Sequence, residues 1–189
     1  MNDAPIISII VCTYNREKCL ELALNSLITQ TAEKNLFEVI IIDSNSSDST
    51  FQLCNRIISK NSNFYYFNCP EKGLSNARNY GLKYGRGIYI GYIDDDAIAP
   101  PHWIQTALDI IEQERPDVFG GPYYPYYTFQ KPKWFKDKYG SFSLSEKSGY
   151  LSAGNYLIGA NIFFLKEILL NIGGFNSKLG MKGDLLGYG

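Results

Sequence analysis

Residues 6–12 read Ile-Ile-Ser-Ile-Ile-Val-Cys and residues 37–42 read Phe-Glu-Val-Ile-Ile-Ile. Runs this apolar and this rich in β-branched side chains suit strands covered on both faces, the condition of a parallel sheet. Each run ends in polar residues, where a strand leaves its sheet. Between the runs, Leu20, Ala23, Leu24, Leu27 and Ile28 recur at helical spacing; Phe51, Cys54, Ile57 and Ile58 do the same after the second run. The alternation continues with a strand over 64–67, a helix over 74–84 that turns Ala77 and Leu82 inward, and a strand over 87–93. Repeated crossovers of this kind predict an α/β fold, a mostly parallel Rossmann-like sheet flanked by helices.

Beyond this core the pattern loosens. A helix is expected from Pro100 to about Glu114, opened by prolines tolerated in a first turn and closed by Pro116. Residues 118–127 read as an edge or bent strand, because Gly120, Gly121, Pro122 and Pro125 interrupt them. Residues 128–149, rich in Lys, Ser and aromatic rings, read as a long surface excursion. Residues 156–165 read as an apolar strand, 167–171 as a short helix and 173–189 as a glycine-dense loop. No internal repeat or domain boundary is visible, so 1–189 is expected to be one domain, with a first part over about 1–96 and a second over about 97–189.

Composition removes several function classes. The 189 residues carry 18 basic and 19 acidic side chains, for a formal charge of −1. No global positive field exists to hold nucleic acid or anionic lipid. The four cysteines form no C-x-x-C pair, and the lone histidine, His102, stands far from them, so a structural zinc site is not expected. Reduced thiols and the lack of a signal-like start point to a cytoplasmic protein, with at most peripheral contact at the inner membrane face.

In an open α/β sheet, ligands collect outside the carboxyl ends of the strands. The residues that follow the strands there are Thr13-Tyr14-Asn15-Arg16, Asp43-Ser44-Asn45-Ser46-Ser47-Asp48, Pro70-Glu71-Lys72-Gly73 and Asp94-Asp95-Asp96. No G-x-G-x-x-G or G-x-x-x-x-G-K-[ST] follows the first strand, which weakens dehydrogenase and P-loop readings. The acidic triplet is the sharpest feature. Two unit charges about 4 Å apart repel by roughly 4 kcal/mol at an effective dielectric of 20. Hard Mg2+ or Mn2+ removes that penalty and shares its remaining positions with substrate phosphates. Asp48 reads as a helix N-cap, Lys72 and Arg78 as candidate phosphate contacts, and Asp43 as a carboxylate facing a base or ribose. Asn161, inside an apolar run, needs a partner in the chain or a ligand.

These segments resemble family 2 glycosyltransferases, nucleotide-sugar-dependent enzymes of the GT-A fold. The resemblance rests on S-I-I-V-C-T-Y-N-R (8–16), I-I-D-S-N-S-S-D-S-T (41–50), G-L-S-N-A-R-N-Y-G (73–81), Y-I-D-D-D (92–96) and G-G-F-N (173–176), in that order. It implies a nucleoside-diphosphate sugar donor, a glycan, lipid-linked or protein acceptor, and inverting transfer aided by Mg2+ or Mn2+. Nucleotide-binding roles fall on Thr13, Tyr14, Asn15, Arg16, Asp43, Asn45, Lys72, Gly73, Arg78, Asp94 and Asp95. Within the triplet, Asp94 and Asp96 are the expected metal ligands, Asp96 the chief one, and Asp95 faces the ribose. Gly159, Ala160 and Asn161 border the sugar. The family's basic catalytic carboxylate is expected just beyond Gly189, so the chain reads as stopping short of it. Two other classes fit the same features. A nucleotidyltransferase would release pyrophosphate, and a non-catalytic nucleotide-sugar-binding module would turn nothing over.

Overall fold

The computed structural model describes residues 4–179. The two runs that opened the sequence become β1 (Ile7–Thr13) and β2 (Phe37–Asp43), parallel and in register from Ile7 opposite Phe37 to Thr13 opposite Asp43. β3 (Phe64–Asn68) adds in parallel outside β2, and β4 (Tyr89–Asp94) in parallel on the other side of β1. The order among the described residues is β3-β2-β1-β4-β6-β5. β6 (Ile162–Leu165) runs antiparallel to β4, and β5 (Val118–Gly120) antiparallel to β6.

Side-chain alternation on β1 explains the layers. Ile7, Ile9 and Val11 face α1 (Glu17–Ile28), α2 (Thr50–Ile58) and α4 (Trp103–Glu114), meeting Leu24, Leu53 and Ile104. Ile10 faces the other way, toward α3 (Leu74–Tyr84) and α5 (Lys166–Asn171), and packs with Ala77, Leu82 and Leu169. Burial on both faces is why these strands read as unbroken apolar runs.

Glu38, near the start of β2, sits far from the ligand end of the sheet. Glu38, 2% exposed, accepts from Ser8 Oγ at 2.6 Å, from the Arg86 amide at 2.7 Å and from Arg86 Nε at 2.8 Å. Ser8 Oγ in turn accepts the Gly87 N–H. The buried charge is therefore fully paired.

Three expected elements are shorter than read. The helix expected from Pro100 starts at Trp103, because Pro101 disfavours helical geometry at Pro100 and the Trp103 amide closes a tight turn onto the Pro100 carbonyl. The strand expected over 118–127 stops at Gly120, before Pro122 removes a donor. The strand expected over 156–165 begins only at Ile162, since the Asn161 amide turns back to the Ile158 carbonyl at 3.1 Å. β5 and β6 thus form an antiparallel pair, Gly120 opposite Ile162, closed by the whole excursion between them. Inside it, Tyr123 and Phe142 make one isolated bridge, and Asp137–Tyr139 is a single 3-10 turn. Of the glycine-dense loop expected over 173–189, residues 180–189 lie outside the described residues.

Candidate active site

The carboxyl ends of β1, β2 and β4 converge because β4 pairs directly with β1, on the side opposite β2. Their rim encloses a cleft of about 330 Å³, the size of a small-ligand site. β1 and its loop contribute Cys12, Thr13, Tyr14 and Arg16; the loop after β2 contributes Ser44; the loop and first turn of α3 contribute Lys72, Gly73, Leu74 and Ala77; the end of β4 and the turn after it contribute Asp94, Asp95 and Asp96.

The loops are held by their own polar residues. Asn15 (φ 53°) and Asn45 (φ 66°) take left-handed backbone, which Asn tolerates better than bulkier residues. The Asn15 amide donates to Ser46 Oγ at 2.8 Å, and Asn15 Oδ1 accepts the Ser47 amide at 2.7 Å. Asn45 Oδ1 accepts from Asn68 Nδ2 at 3.4 Å. The N-cap position of α2 is Ser49 and not the expected Asp48, which sits one residue earlier and accepts both the Glu17 and the Thr50 amides at 3.1 Å, so one carboxylate ties the first residues of two helices. Gly73 (φ 118°) turns the chain into α3 with a conformation that only glycine takes readily.

Successive side chains at the end of β4 alternate in direction. Asp95 turns inward, 5% exposed; its Oδ2 accepts the Thr13 hydroxyl at 2.8 Å and its Oδ1 lies 3.1 Å from Arg16 Nη1. Asp94 and Asp96 face outward, with side chains 43% and 48% exposed. Arg16 Nη2 reaches Asp96 Oδ2 at 2.8 Å, and Arg78 Nη2 stands 3.7 Å from Asp94 Oδ1. Burial pushes the Asp94 and Asp95 carboxyls above the ordinary carboxylate range. Arg78 and Arg16 oppose this at Asp94, and the Thr13 hydroxyl and Arg16 oppose it at Asp95, while Asp96 adds to the push at both. Burial drives the Cys12 thiol up to about 12, so it is a neutral wall of the cleft and not a nucleophile.

Among the described residues no group of three or more His, Cys, Asp or Glu forms a metal cage. The donor set that faces out is two carboxylates, Asp94 and Asp96. That suits Mg2+ or Mn2+, which take one or two carboxylates and keep places for phosphate and water.

Eight of the residues singled out from sequence meet in this cleft: Thr13, Tyr14, Arg16, Lys72, Gly73 and the triplet. Lys72 Nζ lies 5.8 Å from the Tyr14 ring centre, bridging the two loops across the mouth. The others stand behind it. Asp43 is 1% exposed, with Oδ1 accepting the Ser46 amide and Oδ2 the Tyr66 hydroxyl, both at 2.8 Å. Arg78 lies against the rings of Tyr92 and Phe175, and Gly159 packs so close that a Cβ there would clash with Arg78 Nη2. Ala160 follows in the turn before β6. Asn161 finds its partners in the chain: Oδ1 accepts Trp103 Nε1–H at 2.9 Å and Nδ2 donates to the Pro122 carbonyl at 3.2 Å. Neither Gly159 nor Asn161 lines the cleft. His102 contacts Thr31 instead, its Nδ1 3.0 Å from Oγ1. Of the other four lining residues, Ser44 was placed at the strand ends without a role, and sequence reasoning missed Cys12, Leu74 and Ala77; the last two share a helix face three residues apart, a spacing that marks them together.

The family model described as glycosyl transferase family 2 matches residues 8–173. The chain belongs to this family. A glucosyl-dolichyl phosphate glucuronosyltransferase of Haloferax volcanii is 29% identical over 94% of this family 2 chain and 58% of its own length. The glycosyltransferase AglE of the same organism is 24% identical over 96% of the chain and 59% of its own. The chain therefore spans little more than half the length of these relatives. Among solved structures, TarS 1–349 of S. aureus with UDP-GlcNAc superposes with a TM-score of 0.75 at 23% identity, over 89% of this chain and 48% of that one. The mannosyltransferase PcManGT of Pyrobaculum calidifontis, with GDP-Man and Mn2+, superposes at 0.70 and 20% identity, over 95% and 50%. At these identities the likeness is one of fold, the mostly parallel GT-A sheet.

Proposed function

We propose that the chain carries the donor-binding part of a glycosyltransferase that moves a sugar, with inversion, from a nucleoside-diphosphate sugar to a hydroxyl of a glycan, lipid-linked or protein acceptor. The observation that carries this reading is the cleft itself. Two cationic side chains, Arg16 and Lys72, and two outward carboxylates, Asp94 and Asp96, line one space at the strand ends. Such a set suits a diphosphate and its counter-ion.

In this reading residues 1–96 hold the nucleotide and 97–189 shape the sugar and acceptor side. Tyr14 offers a ring face to the base. Asp43, braced by Tyr66, supports the nucleoside side together with Thr13, Asn15 and Asn45. Asp95 faces the ribose edge and, through its bond to Arg16, holds that guanidinium toward the phosphates. Lys72 adds a second positive charge, with Gly73 letting backbone approach the ligand; Arg78 steadies Asp94. Asp94 and Asp96 would hold Mg2+ or Mn2+, whose contribution is to neutralise the departing diphosphate. Gly159 to Asn161 shape the sugar side by packing against Arg78 and Trp103. The base that deprotonates the acceptor is assigned to none of the described residues, since the cleft carboxylates already have other roles. The Haloferax relative named for a dolichyl phosphate substrate favours a lipid-linked acceptor within this class.

Thermal unfolding with UDP or GDP tests the assignment. At about 100 times the dissociation constant, linkage gives roughly 2.7 kcal/mol, or about 5–10 °C in a chain of this size. The rise is expected with Mn2+ present and is lost in Asp96→Ala. Equal stabilisation without metal overturns the role given to the triplet. Pyrophosphate release from a nucleoside triphosphate would move the chain to the nucleotidyltransferases.

A further inference from the structure

The donor cleft leaves the segment between β5 and β6 unexplained. Residues 123–156 hold eleven of the chain's 28 aromatic residues, and five lysines against one aspartate and one glutamate. The segment is thus +3 in a chain whose total is −1. Several of its rings are largely exposed: Tyr126 68%, Phe129 86%, Trp134 73%, Tyr139 59%. Monomeric soluble surfaces rarely show this many together.

The rings form one structured knob. Phe135, half-buried, sits at its centre with the rings of Tyr127, Trp134 and Tyr139 at 6.1, 5.8 and 5.8 Å, each edge to face. Turns fix the backbone around it: the Phe135 amide bonds to Pro132, Tyr139 to Lys136 and Gly140 to Asp137. Asp137 Oδ1 accepts from Tyr127 Oη at 2.7 Å and Lys131 Nζ at 2.5 Å, so the knob's own carboxylate is already matched. Among the described residues no carboxylate pairs with Lys133, Lys136 or Lys138.

We propose that this knob docks the protein on an anionic lipid bilayer, with Trp134 and Tyr139 at the headgroup level and Lys133, Lys136 and Lys138 against the lipid phosphates. Charge complementarity selects this occupant. A neutral glycan would use the rings and gain nothing from a cluster of lysines. An anionic interface uses both, because Trp and Tyr prefer the boundary between headgroup and acyl chain and lysine stems lie along apolar surface while the ammonium reaches the phosphates. No described helix is long and apolar enough to cross a membrane, so the contact is a surface one. The inference stands apart from the donor chemistry.

Trp134 makes the test specific. Of the two tryptophans, Trp103 is partly buried and bonded to Asn161, while Trp134 is exposed. The full chain is mixed with vesicles of phosphatidylcholine alone or with phosphatidylglycerol, and binding is followed by flotation and tryptophan emission. Anionic vesicles are expected to co-float the protein, shift the emission to the blue and shield it from a soluble quencher; phosphatidylcholine alone does neither. Each lysine near the surface is worth about fivefold, so Lys133→Gln, Lys136→Gln and Lys138→Gln together weaken binding about a hundredfold. Trp134→Ser gives an independent loss of affinity, with the circular dichroism of all variants unchanged. Equal binding to neutral vesicles, no vesicle binding, a response of Trp134 to oligosaccharide alone, or self-association with no lipid response each overturns the proposal.

Discussion

Glu38 shows how much a single residue holds. It is nearly inaccessible and serves three donors from β1 and the α3–β4 loop. Without it Ser8 Oγ and the Arg86 amide lose their acceptor, while the Arg86 guanidinium, more than half exposed, turns to water, so Glu38→Ala is expected to cost about 1–3 kcal/mol, read as a lower urea midpoint. At this scale sequence was a partial guide. The triplet at the end of β4 was legible because position at a strand end and mutual repulsion both marked it. The partner of Asp43 was not: Tyr66 lies on β3, 23 positions away, and only the β2–β3 register brings its hydroxyl within 2.8 Å. Asn161 was legible as a side chain in need of bonds, but Trp103 and Pro122 become its partners only through folding.

Among the elements, Asp48 couples two helix starts. Burial raises its carboxyl, but hydrogen bonds from Thr50 and Glu17 outweigh this and hold it below its ordinary 3.8. A depressed folded value stabilises above the unfolded one, and that stability is lost as pH falls through the folded value. Asp48→Asn is therefore expected to lose about 0.3–1 kcal/mol at neutral pH, with the gap to the parent closing below about pH 4 in chemical unfolding curves. Gly91 tests the joint between β4 and β6. A Cβ there would lie 2.7 Å from Phe163 Cε1 and 2.8 Å from Ile9 Cδ1. Phe163 is buried and stacks on Phe119 at 4.7 Å, so neither neighbour yields easily. Gly91→Ala is expected to cost about 2 kcal/mol, again by urea unfolding. Elements buried on both faces were legible in sequence because burial itself writes the apolar run, as in β1 and β2. Residues 156–161 carry apolar side chains too, yet a turn and exposure replace the expected strand, since no neighbouring strand pairs with them.

Over the whole molecule, protection should follow the sheet. Amides of β1, β2 and β4 pair on both sides and lie in the core, while residues 122–160 have few backbone partners. Hydrogen exchange is expected to be slowest in the former and complete at the earliest times across most of the latter; comparable protection in both would contradict this ordering. The two ends of that excursion emerge side by side, Gly120 facing Ile162 across one ladder. Closing a longer loop on such a neck adds only about 0.6 kcal/mol per doubling of its length. The neck therefore works as a graft point: segments of other sizes and chemistries can be spliced there while the sheet and the cleft at its strand ends stay as they are, which lets the surface carried by the excursion diversify without rebuilding the core.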